Sequence, residues 1–125
     1  MTNEAERRLA RADELLVVAD ENLRNGHPAD CVSRAYYAMF HAATAALVSR
    51  GIERSSHKGI ISAFGETFVK NGIIEKRFHE YMRKAFDARS LSDYFPDPSL
   101  EDIHPDEILA SAKSFVEKCR ELVKG

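Results

Sequence analysis

Apolar residues return along this chain at steps of three and four, and glycine and proline divide them into five segments. The first runs from about Asn3 to Asn25. Leu9, Ala12, Leu16, Ala19 and Leu23 make one helical face, and Gly26 follows as a stop signal. The second opens on Pro28, a residue suited to a first helical turn, and runs to about Arg50 before Gly51. Val32, Ala35, Met39, Ala42 and Ala46 form its stripe. Alanine is dense here, and small side chains let neighbouring helices approach closely, so this helix is expected at the centre of a bundle.

The third segment begins near Ser55-Ser56, good capping residues, and carries Ile60, Ile61, Phe64 and Phe68 to a stop near Asn71-Gly72. Gly59 and Gly65 weaken its helical propensity. The fourth runs from about Ile73 to Tyr94, with Ile74, Phe78, Tyr81, Met82, Ala85 and Phe86 as its apolar set, and Pro96 and Pro98 end it. A Pro- and Asp-rich loop leads to Pro105-Asp106-Glu107, whose acids suit the positive end of a helix dipole. Ile108, Ala112, Phe115, Cys119 and Leu122 trace the last buried stripe. No segment alternates with the period of a strand. The expected fold is all-α, an antiparallel up-and-down bundle of five helices.

Composition limits the rest. The chain has 125 residues, enough for a single domain spanning 1–125 with one core and no need of disulfides or metal. Its net charge of -2 provides no global basic field, so any nucleic-acid binding must come from a local patch or from oligomer geometry. Cys31 and Cys119 lie far apart within apolar stripes and read as buried reduced thiols. The first residues lack the pattern of a secretory signal, and no apolar run is long enough to span a membrane. A cytoplasmic location is expected.

Three clusters could carry chemistry. Arg34, Tyr37 and His41 are three and four residues apart and share a face of the second helix. A cation, a phenol and an imidazole there could hold a phosphate and move a proton; equally, they could make inter-helix hydrogen bonds and an ion pair. Arg89, Asp93 and Tyr94 end the fourth helix. Surface pairing accounts for Arg89 and Asp93 at i, i+4, although an acid on the C-terminal side is the less favourable order. His57 and Lys58 follow Ser56 at the start of the third helix, where free backbone N–H groups can receive an anion or simply be capped. The five histidines match no zinc spacing, and phosphate-loop, dinucleotide and nucleophile-elbow motifs are absent from the sequence. No metal or cofactor is expected.

The run Ser33-Arg34-Ala35-Tyr36-Tyr37-Ala38-Met39-Phe40-His41-Ala42-Ala43 resembles the second-helix signature of a prokaryotic group of HEPN (higher eukaryotes and prokaryotes nucleotide-binding) proteins, the UPF0332 type. His57-Lys58-Gly59 with Phe64-Gly65 and Phe68-Val69 is similar to the group's middle block. Ala85-Phe86-Asp87-Ala88-Arg89 through Asp93-Tyr94 is similar to its third. The resemblance implies a bundle of four or five helices that commonly forms a homodimer. Many such proteins are metal-independent endoribonucleases, and some are toxins paired with a minimal nucleotidyltransferase antitoxin.

The usual motif of the family is Arg, four to six residues, then His, with the motifs of two subunits meeting at the dimer interface. Here Arg89 is followed by four residues and then by Tyr94. Arg34 and His41 do enclose six residues, but on the second helix. A phenol, with a pKa of about 10, is a poor general base at neutral pH. Three functions are therefore expected to compete. One is a module binding RNA, a nucleotide or a nucleotidyltransferase in a cleft of Arg34, Tyr37, His57, Lys58, Arg89 and Tyr94, with Asp93 beside it. Another is an endoribonuclease in which Arg89 stabilises the phosphate, Tyr94 replaces the motif histidine, and His41 or His57 moves the proton. The last is a purely structural helical protein.

Overall fold

The computed structural model describes residues 3–94 and 104–125, with side chains in the last helical turn before the gap described through Ser90. Five α-helices carry the chain: α1 (Glu4–Arg24), α2 (Pro28–Val48), α3 (His57–Phe64), α4 (Lys76–Tyr94) and α5 (Pro105–Lys124), with no strand among the described residues. Each start has a local cause. Asn3 caps α1 by accepting a hydrogen bond from the Glu6 N–H at 2.8 Å. Pro28 and Pro105 open α2 and α5 in a turn whose N–H groups would be unpaired in any case. Ser56 caps α3 through the Gly59 N–H at 2.9 Å.

Contact positions give the helix directions. Arg8 meets His41, and His27 bonds back to Asn22, so α1 and α2 run antiparallel. Arg120 pairs with Asp13, and Lys113 with Asp20, so α5 also runs against α1. The short α3 carries the chain from α2 to α4. As its alanines predict, α2 is central and touches each of the other four helices. Val32, Ala35, Met39, Ala42 and Ala46 are all fully buried. The core around them holds Phe64, Phe68, Phe78, Met82 and Phe115, with Phe64 and Phe115 rings 5.0 Å apart. Burial pushes the Cys31 thiol up to about 11, and Cys119 is likewise raised by burial, so both are inert free thiols.

Two details differ from the pattern reading. The buried stripe of α1 uses Leu15, while Leu16 is only half-buried against the core. The third segment does not stay α-helical: Gly65–Val69 form a π-helical turn. Gly65 lets this happen. A Cβ on Gly65 would stand 2.8 Å from Nε2 of His79, whose ring lies against the turn and donates to the Ile61 carbonyl at 3.0 Å. Ile73 and Ile74 then bond back to the Phe68 carbonyl, and Gly72 turns the chain at φ 73°. As a result α4 begins at Lys76, not at Ile73. No described helix is long and apolar enough to cross a membrane.

Candidate functional site

His57, the first residue of α3, is inserted among aromatic side chains of α2 and α4. Its ring stacks on Phe40 with centroids 4.4 Å apart and meets Tyr37 edge-on at 5.8 Å. Phe86 closes the α4 side at 6.5 Å. The Ser56 cap fixes where α3 starts, and hence where this ring enters. A Cβ on Gly59 would come within 2.8 Å of the Ser56 hydroxyl, so the lack of a side chain there keeps the cap tight.

Tyr36 is completely buried, and a buried phenol needs a hydrogen-bonding partner. It has one in Nδ1 of His57, 2.6 Å from its hydroxyl. Burial raises the Tyr36 pKa, with nearby Arg89 opposing the rise and Tyr37 adding to it, so the phenol keeps its proton. Burial first, and Arg89 second, lower the pKa of His57 and favour neutral imidazole. A neutral ring has two tautomers, with different uses. When the phenol donates to Nδ1, Nε2 carries hydrogen and can donate to a phosphate oxygen. When Nδ1–H donates to the phenol oxygen, Nε2 can accept a proton.

Arg89 adds the charge. Its guanidinium lies 5.2 Å from the Tyr37 ring centroid and 5.9 Å from that of Tyr36. Such cation–π contacts contribute about 0.5–2 kcal/mol and hold the cation in place. Ala85 and Ala88 bury their side of α4, leaving Arg89 and Phe86 half-buried toward α2 and α3. A fixed cation, a neutral imidazole and a protonated phenol therefore meet at the junction of α2, the start of α3 and the end of α4. This combination can bind an oxyanion and exchange a proton with it.

The remaining sequence candidates are distributed differently. Tyr37 belongs to the cluster. His41, one turn further along α2, is engaged by α1 instead: Arg8 lies 3.0 Å from its Nδ1 and also 3.5 Å from Glu4. Burial, then Arg8 and Arg11, lower the pKa of His41. Arg34 is exposed on α2. Lys58 is exposed and lines a separate groove between α3 and α4 with His79, Arg83 and Phe86. Asp93 and Tyr94 fall in the last turn of α4, and their side chains lie outside the described residues. Tyr36, Phe40 and Phe86 were not singled out by sequence. The one available signal was the i, i+4 aromatic pair Tyr36 and Phe40, inside the block that carried the resemblance. Among the described residues no group of three or more His, Cys, Asp or Glu is placed to hold a metal ion.

Known proteins resemble this chain along most of its length. The family model described as HEPN domain matches residues 5–122. A Methanocaldococcus jannaschii protein named "Putative toxin MJ0605" is 33% identical over 117 residues, covering 88% of this chain and 87% of the relative. A UPF0332 protein of Archaeoglobus fulgidus is 34% identical over 121 residues, covering 97% and 96%. A UPF0332 protein of Thermotoga maritima is 30% identical over 114 residues, covering 91% and 86%. With the family match extending from the first turn of α1 to the last turn of α5, the chain belongs to the HEPN-domain family, as a protein of the UPF0332 type.

Proposed function

We propose that this chain is a HEPN module that binds a phosphate-bearing ligand, an RNA or a nucleotide, at the Arg89–His57 cluster. In this reading it works as a homodimer and as the partner of a minimal nucleotidyltransferase in a toxin–antitoxin pair. The observation that carries the reading is the position of Arg89, over Tyr36 and Tyr37 and beside His57. A chain with net charge -2 attracts a polyanion only through a local cation, and this one is held over the buried Tyr36 ring and the half-buried Tyr37 ring. The toxin names of two Methanocaldococcus jannaschii relatives support the pairing. Fluorescence anisotropy with labelled single-stranded RNA tests it. Binding should weaken by about tenfold or more in Arg89→Ala, and affinity should fall as salt rises. RNA binding that is indifferent to Arg89 would refute the assignment.

The unshared nitrogen of His57 favours a second reading, a metal-independent endoribonuclease. The RNA 2′-oxygen would attack phosphorus and lose its proton to Nε2. The 5′-oxygen would leave with a proton from solvent, and a 2′,3′-cyclic phosphate would remain. Arg89 would stabilise the extra charge on phosphorus. Incubation of RNA with the protein in EDTA separates the two readings: cleavage lost in both Arg89→Ala and His57→Gln supports the nuclease, whereas intact RNA supports the binding module.

A further inference from the structure

The groove between α3 and α4 is not part of the cluster, yet the two share a wall. Phe86, whose ring is 6.5 Å from that of His57, also lines this groove, a space of about 360 Å³. Sites of this size accommodate small ligands or single residues of larger ones. Lys58 stands on the α3 side and Arg83 on the α4 side, both exposed.

Their electrostatic state distinguishes them from at least half of the cations of the molecule. Arg11, Arg24, Lys70, Lys76, Lys113 and Arg120 each pair with a carboxylate at 3.7 Å or less. Lys58 and Arg83 form no ion pair with any described residue. Asp87 also lines the groove, one turn beyond Arg83, and leaves it with a net positive charge rather than neutral. His79 is committed to the Ile61 carbonyl through Nε2 and contributes its ring to the groove wall. Two uncommitted cations across a groove, joined by an aromatic wall to a third cation, match the alternation of phosphate and base along a single strand.

We propose that the α3–α4 groove is a second phosphate subsite, so that the ligand of this protein is a single-stranded polynucleotide and not a mononucleotide. The proposal rests on the reading of the Arg89–His57 cluster as the first phosphate subsite. Lys58 and Arg83 hold the neighbouring backbone phosphate, and Phe86 lies under the base between the two subsites.

The test compares two probes, a short labelled single-stranded RNA and adenosine monophosphate, on the full chain and on two variants. Lys58→Gln/Arg83→Gln, confirmed folded by circular dichroism, should weaken RNA binding by about tenfold and flatten its salt dependence by about 0.7 in log–log slope per lost contact. It should leave mononucleotide binding unchanged, whereas Arg89→Ala should weaken both. If the wild-type chain binds both probes and the double variant retains full RNA affinity, the groove proposal falls and the first subsite stands. RNA bound no more tightly than the mononucleotide would have the same consequence. If the wild-type chain binds neither probe, both readings fall together.

Discussion

At the scale of the residue, the contact between Tyr36 and His57 links protonation to two opposite outcomes. His57 and His41 both have pKa values below the ordinary 6.5 in the folded chain, chiefly because they are partly withdrawn from water. On unfolding they regain the ordinary value. Below about pH 6.5 the unfolded chain therefore binds more protons than the folded one. The stability they contribute is complete above that pH and is lost as pH falls through the depressed values. Thermal melts between about pH 8 and 5 should show Tm falling on the acid side, with a shallower fall in His57→Gln and in His41→Gln. A bound phosphate does the reverse to His57, since an adjacent anion favours imidazolium. Ligand affinity should therefore rise over the range in which the unliganded fold weakens, and in His57→Gln that rise should disappear from titrations.

At the scale of the element, the π-helical turn fixes the exit from α3. At its first residue, the His79 ring occupies the space a side chain on Gly65 would need. In Gly65→Ala the new methyl must displace that ring and break its bond to the Ile61 carbonyl. Alanine's better helix propensity, about 1 kcal/mol, offsets part of the loss. The net effect should be destabilisation by about 1–2 kcal/mol in chemical denaturation. Adding His79→Ala should give a less than additive effect, because both changes remove the same contact.

This turn also marks a limit of what sequence patterns reveal. The stripe Ile108, Ala112, Phe115, Cys119 and Leu122 was fully legible, because α5 is amphipathic and regular throughout. A π turn adds a residue to one helical repeat, and apolar positions such as Phe64 and Phe68 look helical whether or not it is present. The signal was the glycine, which read only as weak propensity. The start of α4 at Lys76 was hidden for a similar reason. Ile73 and Ile74 extend the apolar pattern of the helix while their N–H groups close the preceding turn.

For the whole molecule, the governing feature is α2, which every other helix touches. Its alanines set how closely those helices approach. Ala42→Leu inserts bulk where no space exists and should cost about 1–3 kcal/mol by urea denaturation. The same change at the exposed Ala10 of α1 should stay within about 0.5 kcal/mol. The alanine density made this centrality readable in advance. The cluster was only half readable. Arg89, His57 and Tyr37 stood out by residue type, but the meeting of Tyr36 with His57 spans 21 positions and that of Arg8 with His41 spans 33. No helical period reports such pairs; tertiary packing alone decides them. Arg34, Tyr37 and His41 do lie along one strip of α2, yet they have different surroundings: α1 engages His41, His57 of α3 meets Tyr37, and Arg34 is exposed.

The buried phenol beside Arg89 has an optical consequence. The chain contains four tyrosines and no tryptophan, so its near-ultraviolet emission arises from tyrosine alone. Two of those four emitters, Tyr36 and Tyr37, carry the Arg89 guanidinium across their faces. The unmodified protein therefore has its own light source at the place where its ligand is proposed to bind, and no label is needed to watch that place.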